Sequence, residues 1–227
     1  MIGVTKNLSI ISELLAIAAI EANREPETVK LLAVSKKQAL DKIVDAANAG
    51  QRDFGENFVQ EGLEKIEQTR DMGLIWHFIG HLQTNKTRVV AENFDWVHTI
   101  DSAKMARRLN AQRPDMLGAL NICLQIKVDD EPAKSGIDAG ELPELAAICS
   151  ELPKLNLRGL MCLPTARSGI LEQRVPFATL RELANDLKSG GIETNTLSMG
   201  MSGDFRAAII EGATMVRIGT ALFGERD

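Results

Sequence analysis

Lys30-Leu-Leu-Ala-Val34 is a compact apolar run, and the residues after it set the pattern for the whole chain. Asp41 to Ala49 places Ile43, Val44 and Ala47 at helical spacing, and Gly50 supplies a C-terminal stop. Arg52-Asp-Phe-Gly55 is then a second, brief strand. A strand, a helix and a strand in so short a stretch describe a βαβ unit, which demands parallel pairing and a right-handed crossover. The unit then repeats. A helix near Phe58 to Thr69 leads to the strand Ile75 to Ile79, and a helix near Thr84 to Glu92 leads to Trp96 to Ile100. Ala103 to Gln112 is the next helix and Ala119 to Val128 the next strand, followed by a helix near Glu141 to Glu151. Leu155 to Cys162 precedes a helix near Pro176 to Lys188, and Thr196 to Met199 precedes a short helix from about Gly203 to Glu211. Met215 to Ile218 is the eighth strand. In the other direction, Met1 to Glu21 reads as an amphipathic helix with Leu8, Ile11, Leu14, Leu15 and Ala18 on one face.

Eight strands, seven intervening helices and one leading helix fit the 227 residues as a (β/α)8 TIM barrel with an extra N-terminal helix. An open doubly wound sheet is the alternative, and the strand count and length favour the barrel. No composition shift or Pro/Gly/Ser linker divides the chain, so one domain over residues 1–227 is expected. Hydrophobic residues at 44% and charged residues at 25% exclude a disordered or collagen-like chain. The net charge of −5 argues against a general nucleic-acid or membrane-surface binder, and no apolar run approaches the ~20 residues of a membrane span. The N-terminus lacks a signal-peptide cleavage site, and Cys123, Cys149 and Cys162 form no CxxC. They read as buried, reduced thiols of a cytoplasmic protein.

In such a barrel, chemistry sits at the C-terminal ends of the strands. Lys36 stands where the first strand ends. A lysine in an enclosed barrel mouth loses hydration, which lowers its pKa and frees the neutral amine that attacks an aldehyde to form a Schiff base. Lys37 leaves the strand on the opposite side. Ser198-Met-Gly-Met-Ser202-Gly-Asp-Phe runs from the seventh strand into a helix, with Ser202 at a natural N-cap. Met215-Val-Arg-Ile-Gly219-Thr220-Ala-Leu-Phe-Gly224 supplies a strand that ends in small residues. Backbone N–H groups, glycines and hydroxyls at these two places suit an anion, and loops after strands seven and eight commonly hold phosphate. An aldehyde-reactive lysine beside a phosphate cradle describes pyridoxal 5′-phosphate (PLP) as ligand, with Arg217 available to its ring nitrogen.

The runs Leu32-Ala-Val-Ser-Lys36, Phe54-Gly-Glu-Asn57-Phe-Val-Gln60-Glu, Trp76-His-Phe-Ile-Gly80-His-Leu-Gln83-Thr-Asn85-Lys86, Arg158-Gly-Leu-Met161, Ser198-Met-Gly-Met-Ser202 and Val216-Arg-Ile-Gly-Thr-Ala-Leu-Phe-Gly224 resemble the pyridoxal phosphate homeostasis proteins. The likeness is ordered and spans nearly the whole chain. It implies a barrel similar to the N-terminal domain of alanine racemase, with PLP linked to Lys36. By the same match Ser202, Gly219 and Thr220 would hold the phosphate and Arg217 would face the pyridine nitrogen. Asn57 and Met201 would line the same region. Lys127 falls where that family often has asparagine, and the loop from Thr165 to Gln173 is variable.

A cation beside the ring nitrogen disfavours its protonation and makes the ring a weaker electron sink. A two-base racemase of the alanine type needs a lysine and a tyrosine, and this chain has no tyrosine. The resulting expectation is a monomeric PLP carrier and regulator that supplies PLP-dependent apo-enzymes without dedicated turnover. A PLP-dependent amino-acid racemase is the main alternative, and a cofactor-free Schiff-base aldolase of phosphosugars the third. His81 reads as a rim residue, and His77 with His81 makes a poor metal pair because a spacing of four flanks a strand end here. Glu61-Gly-Leu-Glu-Lys-Ile-Glu67 reads as a solvated helix face, Trp76 and Trp96 as packing residues, and Met161, Met199 and Met201 as core filling. The acids Asp129-Asp130-Glu131 read as a solvated loop.

Overall fold

A computed structural model describes residues 3–129 and 135–225. Eight parallel strands close on themselves in chain order, β1 to β8, with β8 returning to β1. They are β1 (Lys30–Val34), β2 (Asp53–Glu56), β3 (Ile75–Phe78), β4 (Trp96–Ile100), β5 (Leu120–Gln125), β6 (Leu155–Met161), β7 (Thr196–Ser198) and β8 (Met215–Ile218). The helices are α1 (Val4–Glu21), α2 (Leu40–Asn48), α3 (Val59–Gln68), α4 (Thr87–Asn93), α5 (Ala103–Gln112), α6 (Leu142–Ser150), α7 (Ile170–Ser189), α8 (Phe205–Ile210) and α9 (Thr220–Phe223). The closing seam is in register, with Leu32 opposite Arg217 and Ala33 opposite both Phe54 and Ile218.

The strands are short, and their alternation sorts side chains into two compartments. Outward residues such as Phe54, Trp76, Phe78, Val97 and Ile122 pack against the helices in one annular core. Inside the barrel the apolar content is small. Leu32, Ile79 and Met215 form one inner cluster, and Trp96, Cys123 and Met161 another. α1 buries Val4, Leu8, Ile11, Leu15 and Ala18 at helical spacing. It packs against α2, α8 and α9, across the outside of the β8–β1 seam. No helix among the described residues is long and apolar enough to cross a membrane. All three cysteines are buried.

Two sequence expectations shift. α7 begins at Ile170, six residues before Pro176, so the proline lies inside the helix rather than at its start. Pro176 is buried there, and its packing outweighs the backbone hydrogen bond it cannot make. The segment after β7 is helical only from Phe205, with Asp204 and not Ser202 at the N-cap position. The physical reason is a competing turn: Met201 N–H donates to Asp204 Oδ1 at 2.6 Å, and Met201 O accepts from Asp204 N and Phe205 N. That turn holds Ser202 and Gly203 out of the helix. Of the acidic run, Asp130 and Glu131 lie outside the described residues. Asp129 is not simply solvated, because its Oδ1 pairs with Arg167 at 2.5 Å.

Candidate functional site

A cavity of about 300 Å3 opens at the C-terminal ends of β1, β2, β6, β7 and β8. Lys36, Asn57, Met201, Ser202, Arg217, Gly219 and Thr220 all line it, with Val34, Ile79, Met161, Leu163 and Gly203. The seven residues singled out from the sequence therefore meet in one place. Lys36 and Arg217 are its two cationic side chains, and no carboxylate lines it among the described residues. Its walls combine an apolar side (Val34, Ile79, Met161, Leu163) with hydroxyls and glycine backbone, the usual composition of a small-molecule site. A Cβ on Gly219 would stand 3.1 Å from Val34 O, so the β8 terminus lies tight against β1. Gly80 is tighter still. A Cβ there would fall 2.0 Å from Asn57 O, so only glycine lets the loop after β3 press Asn57 into the cavity wall. Asn57 Oδ1 is buried and meets no hydrogen-bond donor among the described residues. A ligand that offers an N–H or O–H there would satisfy it. An aldehyde-bearing, anionic, partly apolar group such as PLP fits this donor set.

The backbone around Lys36 is held from both sides. Ser35, at the end of β1, is buried, and its hydroxyl donates to Glu56 Oε1 at 2.6 Å. Lys65 of α3 donates from Nζ to Ser35 O (2.7 Å), Glu56 Oε1 (2.7 Å) and Glu61 Oε1 (2.6 Å). Glu61 Oε1 also accepts from Lys37 N–H. Lys37 sits at φ +57°, a left-handed conformation that turns the chain sharply just after Lys36. The expected solvated face of α3 is thus corrected: Lys65 is buried at 6% exposure and points inward. It is drawn in because the loop after β1 and Glu56 present carbonyl and carboxylate oxygens that burial would otherwise orphan. Desolvation raises the Glu56 pKa, against the pull of Lys65.

Arg217 is held through its own side chain. Its guanidinium is buried at 4% exposure and makes no ion pair among the described residues. Nη1 donates to Ser198 O (2.5 Å) and to Ser198 Oγ (2.9 Å), and Nη2 donates to Cys162 O (2.8 Å). Of its five N–H donors, two have no protein acceptor among the described residues. Behind Ser198 lies a polar chain that sequence reading missed. Ser198 Oγ is 2.9 Å from His98 Nδ1, His98 Nε2 is 2.9 Å from His77 Nδ1, and His77 Nε2 is 3.0 Å from Asp53 Oδ1. Both imidazoles are fully buried and their pKa values are pushed down by desolvation. Trp96 stacks on His77 at 5.2 Å, so it packs inside the barrel and not merely at a strand start.

Other expected residues lie elsewhere. Lys127 pairs with Asp138 at 3.5 Å and lines a larger, more open hollow of about 840 Å3 with Asp129, Thr165 and Arg167. That hollow is paved by charges already paired with one another. His81 is exposed and borders a third hollow with Phe58, Gln83 and Lys86, adjoining the main cavity only through Asn57. Met161 and Met199 are buried as expected, whereas Met201 is 39% exposed at the cavity rim. Among the described residues there is no cluster of three metal-ligating side chains.

Residues 17–227 match the family described as alanine racemase, N-terminal domain. The chain is 50% identical over 233 aligned positions to the pyridoxal phosphate homeostasis protein of Escherichia coli, covering 100% of this chain and 98% of that one. Among solved structures it is similar to PipY of Synechococcus elongatus with PLP bound, at 36% identity and a TM-score of 0.85, covering 97% of this chain and 100% of that one. Alanine racemase of Corynebacterium glutamicum shares the fold at 18% identity and a TM-score of 0.70, with 96% of this chain on 62% of the enzyme. Full-length likeness at half identity, on a closed barrel of the same shape, leaves one assignment: the chain belongs to the pyridoxal phosphate homeostasis protein family.

Proposed function

We propose that the whole chain, residues 1–227, acts as one barrel domain that holds PLP at the mouth and takes part in its homeostasis. The observation that carries this reading is the convergence of Lys36, Arg217, Ser202, Gly219 and Thr220 on one small cavity. When bound, PLP supplies an aldehyde that condenses reversibly with a primary amine, releasing water. Lys36 Nζ is the amine for that link, and the cavity has no second lysine among its lining residues. Ser202 and Thr220 donate hydroxyl hydrogen bonds to the phosphate, and Gly203 and Gly219 let the backbone come close. Arg217 offers an N–H to the ring nitrogen and stays cationic, which keeps a proton off that nitrogen. Asn57 and Met201 complete the wall.

Such a site protects a reactive aldehyde and gives it up to a competing amine, which suits a cytoplasmic, monomeric carrier that supplies apo-enzymes. Catalytic turnover is disfavoured by the same residues. Arg217 weakens the ring as an electron sink, and among the described residues the cavity presents neither a carboxylate nor a phenol to move a proton at Cα. The test begins with the visible spectrum of the protein given PLP, followed by borohydride reduction and peptide mapping. A yellow protein with the reduced adduct on Lys36, lost in Lys36→Ala, is the expected result. An adduct on another lysine, or a protein that stays colourless, refutes the assignment. Incubation with L-amino acids in deuterated water separates carrier from enzyme: exchange at Cα no faster than with free PLP is expected, and exchange far above it overturns the carrier reading.

A further inference from the structure

The polar chain inside the barrel can be proton-ordered from chemistry alone. Arg217 has no acceptor, so its contact with Ser198 Oγ must be a donation. Asp53, as a carboxylate, has no donor, so His77 Nε2 must carry the hydrogen between them. A neutral His77 then has a bare Nδ1, which accepts from His98 Nε2–H at 2.9 Å. His98 in turn has a bare Nδ1, which accepts the Ser198 hydroxyl at 2.9 Å. With both rings neutral, every other arrangement sets two donors or two acceptors face to face at about 3 Å. The order is therefore unique: Arg217 to Ser198 to His98 to His77 to Asp53. It crosses the barrel from β8 through β7, β4 and β3 to the first residue of β2, where the Asp53 side chain is 16% exposed.

We infer that Ser198, His98, His77 and Asp53 are positioning residues for Arg217: this one-way relay fixes the guanidinium so that its two remaining N–H donors serve the cavity. The inference rests on the reading of the cavity as the PLP site only for the ligand that Arg217 meets. The relay itself is a property of the ligand-free barrel. It gives the cation an oriented acceptor without placing a carboxylate against it. Arg217 keeps its charge where a neighbouring Asp would cancel it.

The experiment is long-range 1H–15N spectroscopy of ligand-free protein labelled at histidine, at neutral pH. The chain has three histidines, so assignment is direct, and the exposed His81 serves as reference. His77 and His98 are expected as pure Nε2–H tautomers. An Nδ1–H form or an imidazolium at either position overturns the relay. Ser198→Ala is expected to release His98 from its single tautomer and to speed solvent exchange of the Arg217 guanidinium hydrogens at least about tenfold. It should also weaken binding of added PLP by roughly tenfold. Ser198→Thr, which keeps the hydroxyl, should restore all three. Should Ser198→Ala not fold, His98→Met takes its place: it breaks the Ser198–His98 and His98–His77 links, and it is read on the His77 tautomer and on the Arg217 guanidinium exchange. Unchanged guanidinium exchange in the folded variant overturns the positioning role, whatever PLP does. If the parent shows the tautomers and the exchange change but binds no PLP, the ligand assignment fails and the relay stands.

Discussion

Two buried polar supports meet at the cavity, and they are built in opposite ways. Beneath Lys36 the support is ionic and lies outside the sheet: Lys65 gathers Glu56, Glu61 and the Ser35 carbonyl, and every bond it makes to the loop falls on Ser35 or, through Glu61, on Lys37. Beneath Arg217 the support lies inside the barrel, its interior links are two neutral imidazoles, and it grips the guanidinium directly. The difference suits the role proposed for each residue. Around Lys36, the proposed nucleophile, these bonds fall on the backbone of Ser35 and Lys37. A guanidinium that only orients a ligand can be held by its own nitrogens, and fixing it costs the site nothing.

The ionic support should break hardest. Lys65→Met leaves Glu56 and Glu61 facing a buried apolar group, and a loss of about 3–5 kcal/mol in urea denaturation is expected. A loss below about 1 kcal/mol would show that the clamp is not a coupled buried pair. The imidazole support should instead respond to acid. Burial holds the His77 and His98 pKa values below the ordinary 6.5. Between 6.5 and the folded-state values the unfolded chain binds more protons, so this stability is whole above 6.5 and lost as pH falls. The slope is up to about 1.4 kcal/mol per pH unit for each histidine, and a His77→Gln/His98→Gln variant should flatten it. Glu56 works with the opposite sign, since its raised pKa contributes stability that is lost as pH rises above about 4.5. Denaturation curves of Glu56→Gln should lack that second component. The smallest effect is expected at Lys37→Gly. Relief of the left-handed strain offsets the greater freedom of glycine in the unfolded chain, leaving a change within about 0.5 kcal/mol.

The contrast also explains what could be read from the sequence. Strand count, order and the cavity residues were legible because both derive from periodicity. Apolar runs alternate with helical ones, and a residue just past the end of a strand stands at the mouth. The clamp was not legible, because Glu61 and Lys65 at i,i+4 look the same whether they face water or a carbonyl. Ser202 misled as a cap because Asp204, two residues on, competes for the same turn. Pro176 misled because a proline reads as a helix start, and only tertiary packing places it inside α7. The relay did leave a trace. His77, His98, Ser198 and Arg217 occupy inward positions on strands whose outward residues are apolar, and polar residues recurring on the inward face of several strands mark a hydrogen-bonded interior.

Barrels of this type are usually treated as modular, with loops at one end open to exchange and a scaffold beneath that merely keeps its shape. Gly80, pressed against Asn57, already ties two neighbouring mouth loops together. Asp53 extends the tie to the far end of the barrel. A replacement there, chosen only to suit the bottom rim, would be felt by the ligand at the top. Grafting these mouth loops onto another eight-stranded scaffold would leave Arg217 behind, unless the interior of β2, β3, β4 and β7 travels with them.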